Sequence, residues 1–276
     1  ATLFVVAPFS MSACAAFILN RPAPGNLRAS LLVAQYAVLL SALALLLFAL
    51  EEAICIAMAL PVASVMALFG GLVGHALAVR STVPAANLFL AVLALPFLTA
   101  AESRRPPPPL REVISAIEVD APPTEVWPHV IGFSALTAQP PWYFAAGIAH
   151  PLRAEIRGSG VGAVRHCVFS TGPFVEPITV WDPPHRLAFD VAAQPPPMRE
   201  LSPWGAIAAP HLEGTLTSRR GEFRLIALPG GRTRLEGSTW YDLDMYPQIY
   251  WTLWSDGLIG GIHDQVLEHV KRLAEG

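Results

Sequence analysis

The first hundred residues of the chain contain very little charge. Only five of their side chains are charged, namely Arg21, Arg28, Glu51, Glu52 and Arg80, whereas the remaining 176 residues contain the other 34. An uncharged apolar stretch of about eighteen residues or more is too long for an ordinary core helix and suits a bilayer crossing. The scarcity of charge therefore excludes an ordinary soluble domain here and predicts membrane-spanning helices.

Cysteine and clustered basic residues are scarce as well. The three cysteines, Cys14, Cys55 and Cys167, are far apart and form no CxxC pair, which excludes a disulfide framework and a zinc signature. No His, Asp and Glu residues fall at metal-ligand spacing, so the sequence predicts neither a metal nor a cofactor. The net charge of −3 and the lack of a basic face give no electrostatic case for a nucleic-acid partner.

Residues 1–101 are predicted to form an all-α transmembrane bundle, so the protein is expected to be a multi-pass integral membrane protein. The four apolar blocks are Thr2–Leu19, Ala29–Leu50, Ala53–Val79 and Ala85–Ala101. The third contains Gly70, Gly71 and Gly74, and small side chains let helix backbones approach closely in lipid. Because the chain starts inside an apolar run without Met, we take it for a fragment or a processed chain, and four spans for a minimum. Basic residues flank both sides equally, so the side of the soluble domain stays open.

The pattern changes after a proline-rich linker at residues 102–111. Short segments with period-two alternation follow, interrupted by one short helix, and the chain ends in a long amphipathic helix, Gln248 to Ala274. One antiparallel sheet with helices on one face is an α+β solution. A curved sheet around the last helix leaves room for a cavity, and the irregular insert at residues 192–220 is a candidate lid or membrane-interface segment.

Three motifs in residues 112–276 carry a family resemblance. They are Ile117-Glu118-Val119-Asp120-Ala121-Pro122-Pro123-Thr124-Glu125-Val126-Trp127, the segment Thr179 to Phe189 around Trp181-Asp182-Pro183-Pro184, and the hairpin from Phe223 to Leu235. This part of the chain resembles the START-like, or SRPBCC, superfamily, and especially its members similar to polyketide cyclases and dehydrases. The resemblance implies a helix-grip fold with a deep apolar cavity under the C-terminal helix. It specifies activity poorly, because the superfamily mixes lipid carriers, hormone receptors and cyclases.

Strand alternation and helix periodicity predict which residues line this cavity. The candidate ligand-binding residues are Trp142, Leu187, Phe189, Phe223, Leu225, Leu235, Thr239, Tyr241, Trp251 and Ile262. Ordinary core packing is the alternative interpretation of the apolar ones.

Four residues are candidates for acid–base chemistry. Glu176 shares strand parity with Ile178 and Val180, and a buried carboxylate with a raised pKa can act as an acid or a base. His166, Tyr241 and His263 can reach the same cavity. The alternatives are that Glu176 faces solvent and that each of the others only anchors a ligand or a buried neighbour.

The main functional hypothesis is membrane-anchored binding of a hydrophobic small molecule, either a lipid or a polyketide-like compound, with membrane lipids as further partners. A cyclase or dehydratase acting on a polyketide-like substrate is the enzymatic alternative, and the sequence does not decide between an enzyme and a binding protein. A third hypothesis makes the soluble domain a ligand-sensing module that regulates the membrane region.

Overall fold

The computed structural model describes residues 2–23, 25–80, 93–102, 104, 106, 108–205, 207 and 214–276. The chain divides into two compact units. The helical unit comprises Ala1–Pro107, Glu200–Pro210 and Met245–Trp251, and the sheet unit comprises Pro108–Arg199, His211–Asp244 and Thr252–Gly276.

The helical unit contains α1 (Ala7–Asn20), α2 (Leu27–Leu47), α3 (Ala53–Arg80) and α4 (Leu95–Glu102). Three helical segments in the described part of the chain are long and apolar enough to cross a membrane: Thr2–Asn20, Leu27–Leu47 and Ala53–Arg80, with mean hydropathies of 2.0 to 2.2. They match the first three apolar blocks of the sequence. Of the fourth predicted block, residues 85–92 lie outside the described residues, and the rest contains α4.

Glycine lets α3 pack closely against its neighbours. A Cβ atom on Gly70 would lie 2.2 Å from the carbonyl oxygen of Phe9 in α1, and one on Gly74 would lie 2.1 Å from that of Ala13. Gly71 faces α2, where a Cβ would come within 2.9 Å of the Ala34 side chain. Any larger residue would push the helices apart, which confirms the expectation of close backbone approach.

The sheet unit is built on seven antiparallel strands. They are β1 (Arg111–Val119), β2 (Pro151–Arg157), β3 (Val164–Phe169), β4 (Gly172–Asp182), β5 (Arg186–Asp190), β6 (Leu216–Leu228) and β7 (Arg232–Leu243). Their order in the sheet is β1-β7-β6-β5-β4-β3-β2. Strands β2 to β7 are neighbours in the sheet in the same order as in the sequence, and β1 is the edge strand that pairs with β7.

Two helices complete this fold: α5 (Pro123–Ile131), between β1 and β2, and α6 (Gln248–Glu275), at the C-terminus. α5 begins at Pro123. Proline is tolerated at the first position of a helix because the N–H that it lacks would have no hydrogen-bond acceptor within the helix. Residues of α6 such as Val266 and Val270 join strand residues such as Leu235 in one apolar core. The antiparallel sheet with its long C-terminal helix confirms the predicted helix-grip architecture.

β6 begins earlier than the sequence pattern indicated, so the irregular insert is shorter than predicted. The pattern placed the strand start at Glu222, whereas β6 extends back to Leu216. The additional residues pair with the end of β7, from Leu216 opposite Leu243 onward. The Gln194 side chain supports this segment, since it donates to the Leu216 carbonyl at 2.8 Å and accepts from the Ser218 N–H at 2.8 Å. Residues 206 and 208–213 of the insert lie outside the described residues.

Candidate functional site

A cavity of about 120 Å³ lies between the inner face of the sheet and α6, within the sheet unit. Its lining is mainly apolar. The aromatic members are Phe169, Phe174, Phe189 and Phe223, the aliphatic ones include Val191, Ile259, Ile262, Val266 and Leu267, and the polar ones include Arg165, Glu176, Thr239 and His263. An apolar pocket with a few convergent polar groups is the usual form of a small-molecule site.

A buried ion pair stands at the centre of the polar part of this lining. Arg165 of β3 and Glu176 of β4 are direct partners across the antiparallel pair, and Arg165 Nη1 donates to a carboxylate oxygen of Glu176. Arg165 is 2% exposed, and Glu176 is also buried. The guanidinium Nε donates to the Ile131 carbonyl at 3.2 Å. Both charges are therefore held in the interior with a hydrogen-bonded partner.

Aromatic rings surround the guanidinium of Arg165. Its central carbon lies 5.7 Å from the ring centroid of Phe133, 5.2 Å from that of Phe189 and 5.7 Å from that of Phe223. Cations are attracted to ring faces at such distances, and more strongly where water is excluded. The rings thus stabilise the buried cation in addition to the Glu176 carboxylate.

Burial and pairing act in opposite directions on these groups. Burial raises the pKa of Glu176, and the neighbouring Arg165 guanidinium opposes that rise. For Arg165 burial is the largest influence and acts to lower the pKa, but the Glu176 carboxylate and the Cys167 side chain together outweigh it, so the pKa is raised. Burial raises the pKa of the adjacent Cys167 thiol to about 12, so this cysteine stays protonated and is not a nucleophile near neutral pH.

His263 of α6 forms a second polar group of the cavity. Its Nε2 shares a hydrogen bond of 2.7 Å with the Thr239 hydroxyl, and its Nδ1 lies 3.3 Å from the Ser115 hydroxyl. Burial lowers the pKa of His263 to about 4. The imidazole is therefore neutral near neutral pH and can either donate or accept a proton in a hydrogen bond.

Tyr241 belongs to a different polar cluster, next to the cavity lining rather than in it. Its hydroxyl donates to the Asp256 carboxylate and shares a 2.7 Å hydrogen bond with Ser255. Arg111 donates to the same carboxylate at 2.7 Å. Burial and the hydrogen bond to Asp256 raise the pKa of Tyr241. This cluster joins β1, β7 and α6, so its evident role is to hold α6 on the sheet.

The structure brings six of the sequence-predicted residues to the cavity: Phe189, Phe223, Thr239, Ile262, Glu176 and His263. Leu187, Leu225, Leu235 and Tyr241 are buried on the same fold but outside the lining, as parts of the core or of the Tyr241 cluster. Strand parity selected the correct face in each case, but it does not distinguish pocket wall from core.

Three predicted residues lie elsewhere. His166 faces away from the cavity, because Arg165, Cys167 and Phe169 are the buried positions of β3 and alternation turns His166 outward. Trp142 is 83% exposed, since it lies in the irregular segment before β2 where no strand turns it inward. Trp251 belongs to the helical unit, where its ring stacks near that of Phe4, so it does not line the cavity.

Arg165 is the main site residue that the sequence reasoning missed. A signal for it exists in the β3–β4 hairpin, where Phe169 pairs with Gly172 across a two-residue turn. Counting back from that turn sets Arg165 opposite Glu176, so the position of one residue of the pair predicts that of the other.

A separate charged cluster lies on the other face of the sheet. Glu222 is buried and accepts hydrogen bonds from Arg186 at 2.9 Å, from Arg220 at 2.5 Å and from Arg224 at 2.5 Å.

Within the described residues there is no group of three or more His, Cys, Asp and Glu side chains arranged to hold a metal ion.

Comparison with known proteins places this domain. Residues 111–245 match the family model described as polyketide cyclase / dehydrase and lipid transport. No curated protein matches the chain. Among solved structures, a truncated norcoclaurine synthase from Thalictrum flavum is similar at 14% identity and a TM-score of 0.36, over 60% of this chain and 96% of that one. The Zhui aromatase/cyclase from Streptomyces sp. R1128 is similar at 17% identity and a TM-score of 0.36, over 60% and 94%.

The resemblance rests on the sequence match and on the fold described above, because both TM-scores are low. The match covers every strand of the sheet, from the start of β1 to the end of β7. The resemblance to the START-like superfamily is thereby confirmed, with residues 111–245 of this chain matching the polyketide cyclase / dehydrase and lipid transport family model.

Proposed function

We propose that the protein is a membrane-anchored binding protein that holds a hydrophobic small molecule in the cavity of its sheet unit. The observation that carries the proposal is the cavity itself, which is walled by four phenylalanine rings and yet contains a buried ion pair and a neutral histidine. Apolar walls provide affinity, and a few fixed polar groups provide orientation and specificity.

The anchoring part of the proposal is supported by three helices of sufficient length and apolarity. Hydrophobic ligands partition into bilayers, so a binding domain tethered at a membrane meets them at a high local concentration. The sequence between the two parts is rich in proline, and proline-rich linkers are in general semi-rigid spacers of about 3 Å per residue.

The experiment uses the full chain in lipid nanodiscs, analysed by native mass spectrometry and by extraction of bound molecules. We expect a hydrophobic adduct in the wild-type protein. The variant Ile262→Trp should lose it, because Ile262 lines the cavity and a larger side chain fills the space. The matched control is Ile249→Trp on the same helix, where the original side chain is 80% exposed and the adduct should remain. An adduct that persists in Ile262→Trp, or no adduct in any variant, would contradict the proposal.

A cyclase or dehydratase activity is the second candidate, and His263 is the observation that favours it. A neutral imidazole beside the Thr239 hydroxyl can accept a proton from a substrate held in the cavity. Turnover of a polyketide-like substrate that is abolished in His263→Gln, with ligand binding retained, would support the enzyme. Binding without turnover in the wild-type protein would argue for the binding protein.

A further inference from the structure

The two charged side chains that face the cavity cancel each other, because Arg165 is paired with Glu176. The lining also includes Arg220 and Glu222, but these two flank Gly221 and Phe223, so strand alternation turns their side chains toward the opposite face, where Glu222 is shared with two further arginines. Among the described residues of the lining, a charged ligand therefore meets only charges that are already engaged with each other. An unpaired ion in such surroundings loses at least about 100-fold in affinity relative to a neutral isostere.

The cavity is also small. Its volume of about 120 Å³ is close to that of an engineered apolar cavity of about 150 Å³ that binds benzene. One aromatic ring with a small substituent fills such a space. A long acyl chain, with more than twice as many carbon atoms, exceeds this space, so most of it would have to extend out of the cavity or displace the packed walls.

The phenylalanine side chains of the cavity wall are oriented so that they can contact an aromatic ligand. Phe169 and Phe174 lie with their centroids 4.8 Å apart at 62°, and Phe189 and Phe223 lie 6.3 Å apart at 43°. These tilted arrangements present both faces and edges of rings to the cavity, which are the two surfaces that an aromatic guest prefers to contact.

The polar groups of the lining suit an uncharged oxygen. Oxygen acceptors in the described part of the chain take two of the five N–H donors of Arg165, namely the Ile131 carbonyl and the Glu176 carboxylate, and the Cys167 side chain interacts with the guanidinium as well. A donor beyond these suits a carbonyl or hydroxyl oxygen of a ligand. The Thr239 hydroxyl, which is already bonded to His263, has lone-pair capacity left to accept a hydrogen bond from a ligand hydroxyl.

We propose that the ligand of this cavity is a compact, electrically neutral aromatic molecule with a hydroxyl or carbonyl group, and not a fatty acid or another charged or long-chain lipid. The inference rests on the proposed binding function and narrows it to one chemical class. A carboxylate ligand would have to displace Glu176 from Arg165, which would leave the displaced carboxylate buried without a partner.

The first test is calorimetric titration of the full chain in nanodiscs near neutral pH, with empty nanodiscs as the blank. The probes are 4-methylphenol, which is neutral, 4-methylbenzoate, which is an anion, 4-methylbenzylammonium, which is a cation, and 1-dodecanol, which is neutral and long. We expect 4-methylphenol to bind most tightly and both ions to bind at least about 100-fold more weakly. Tighter binding of an ion or of 1-dodecanol would overturn the ligand class while leaving the binding function intact. No binding of any probe would overturn both.

The second test removes the compensating charge. Glu176→Gln keeps the size of the side chain but leaves Arg165 unpaired, so the carboxylate of 4-methylbenzoate can take its place. We expect the preference to invert, with the affinity ratio of 4-methylbenzoate to 4-methylphenol rising by at least about 100-fold. The matched control is Glu155→Gln on β2 of the same sheet, where the side chain is 61% exposed and the ratio should not change. If the variant is poorly folded without ligand, 4-methylbenzoate should restore its thermal stability and 4-methylphenol should not. An unchanged ratio in a folded Glu176→Gln protein would refute the charge argument.

Discussion

His263 should make the stability of the sheet unit fall in mild acid. Burial lowers its pKa to about 4 in the folded protein, whereas a histidine in an unfolded chain titrates near 6.5. Above pH 6.5 the residue is neutral in both states and does not affect the balance. As the pH falls from about 6.5 to about 4, the unfolded chain takes up a proton that the folded protein does not, so the free energy of unfolding decreases.

The size of this effect follows from the difference between the two pKa values. A difference of about 2.5 pH units corresponds to about 3.4 kcal/mol in full at about 1.36 kcal/mol per unit, of which about 3 kcal/mol is lost by pH 4. The conversion is appropriate because His263 is only 9% exposed, so little solvent screening applies. A loss of about 3 kcal/mol is a large part of the stability of an ordinary domain.

Hydrogen exchange of the β7 amides measures this loss in the intact protein, because these central-sheet amides exchange only when the unit opens. The comparison is between the wild-type chain and His263→Gln at each pH, so that the intrinsic pH dependence of exchange cancels. We expect the wild-type protein to lose about 3 kcal/mol relative to the variant between about pH 7 and pH 4. His269, whose pKa burial also lowers, is present in both proteins and cancels as well. A difference between the two proteins that does not vary with pH would refute the reasoning.

Two further predictions concern α6 and are checked by the same exchange measurement near neutral pH. Gly260→Ala should raise the free energy of unfolding by about 1 kcal/mol, because alanine favours helix and, among the described residues, no atom beyond the adjacent helix backbone lies within 4 Å of the added Cβ. Its matched control Gly261→Ala should show no such gain, because the Cβ would lie 2.5 Å from the Tyr143 hydroxyl. Tyr241→Phe should lower the free energy of unfolding by about 1 to 3 kcal/mol, because the buried Ser255 hydroxyl and the partly exposed Asp256 carboxylate both lose a hydrogen bond. A change below about 0.5 kcal/mol would contradict the anchoring role of this cluster.

The features that could be predicted from the sequence are those that depend on local patterns of apolar and polar residues. Long uncharged apolar runs predicted the helices of the helical unit, because lipid and water impose opposite requirements on side chains. Period-two alternation identified the inner face of β7, where Leu235 and Tyr241 are fully buried. Trp142 was wrongly predicted to line the cavity because it lies in an irregular segment, where no strand or helix periodicity indicates which way a side chain points.

Residue pairs across strands were harder to predict, because alternation fixes the face of a strand but not its register. Placing Glu176 inward required the correct parity for β4, and pairing it required the parity of β3 as well. The sequence reasoning grouped His166 with the candidate site, whereas its neighbour Arg165 occupies the inward position. The prediction for β3 was wrong by one residue, so it assigned the outward-facing imidazole of His166 to the cavity instead of the buried guanidinium of Arg165.

The pairing of Arg165 with Glu176 also determines which chemistry the cavity favours. If Glu176 accepts a proton from a neutral substrate, the negative charge moves to the substrate. Arg165 then keeps a counter-ion only if the substrate anion takes the place of the carboxylate, and otherwise a buried charge is left unpaired, which is strongly destabilising. If His263 accepts the proton instead, an imidazolium and a substrate anion form together, and burial opposes the imidazolium. Proton transfer thus requires either the exchange of the buried ion pair or the separation of charge in an apolar cavity, whereas an uncharged molecule that only forms hydrogen bonds requires neither. We therefore expect this cavity to bind a neutral ligand without converting it.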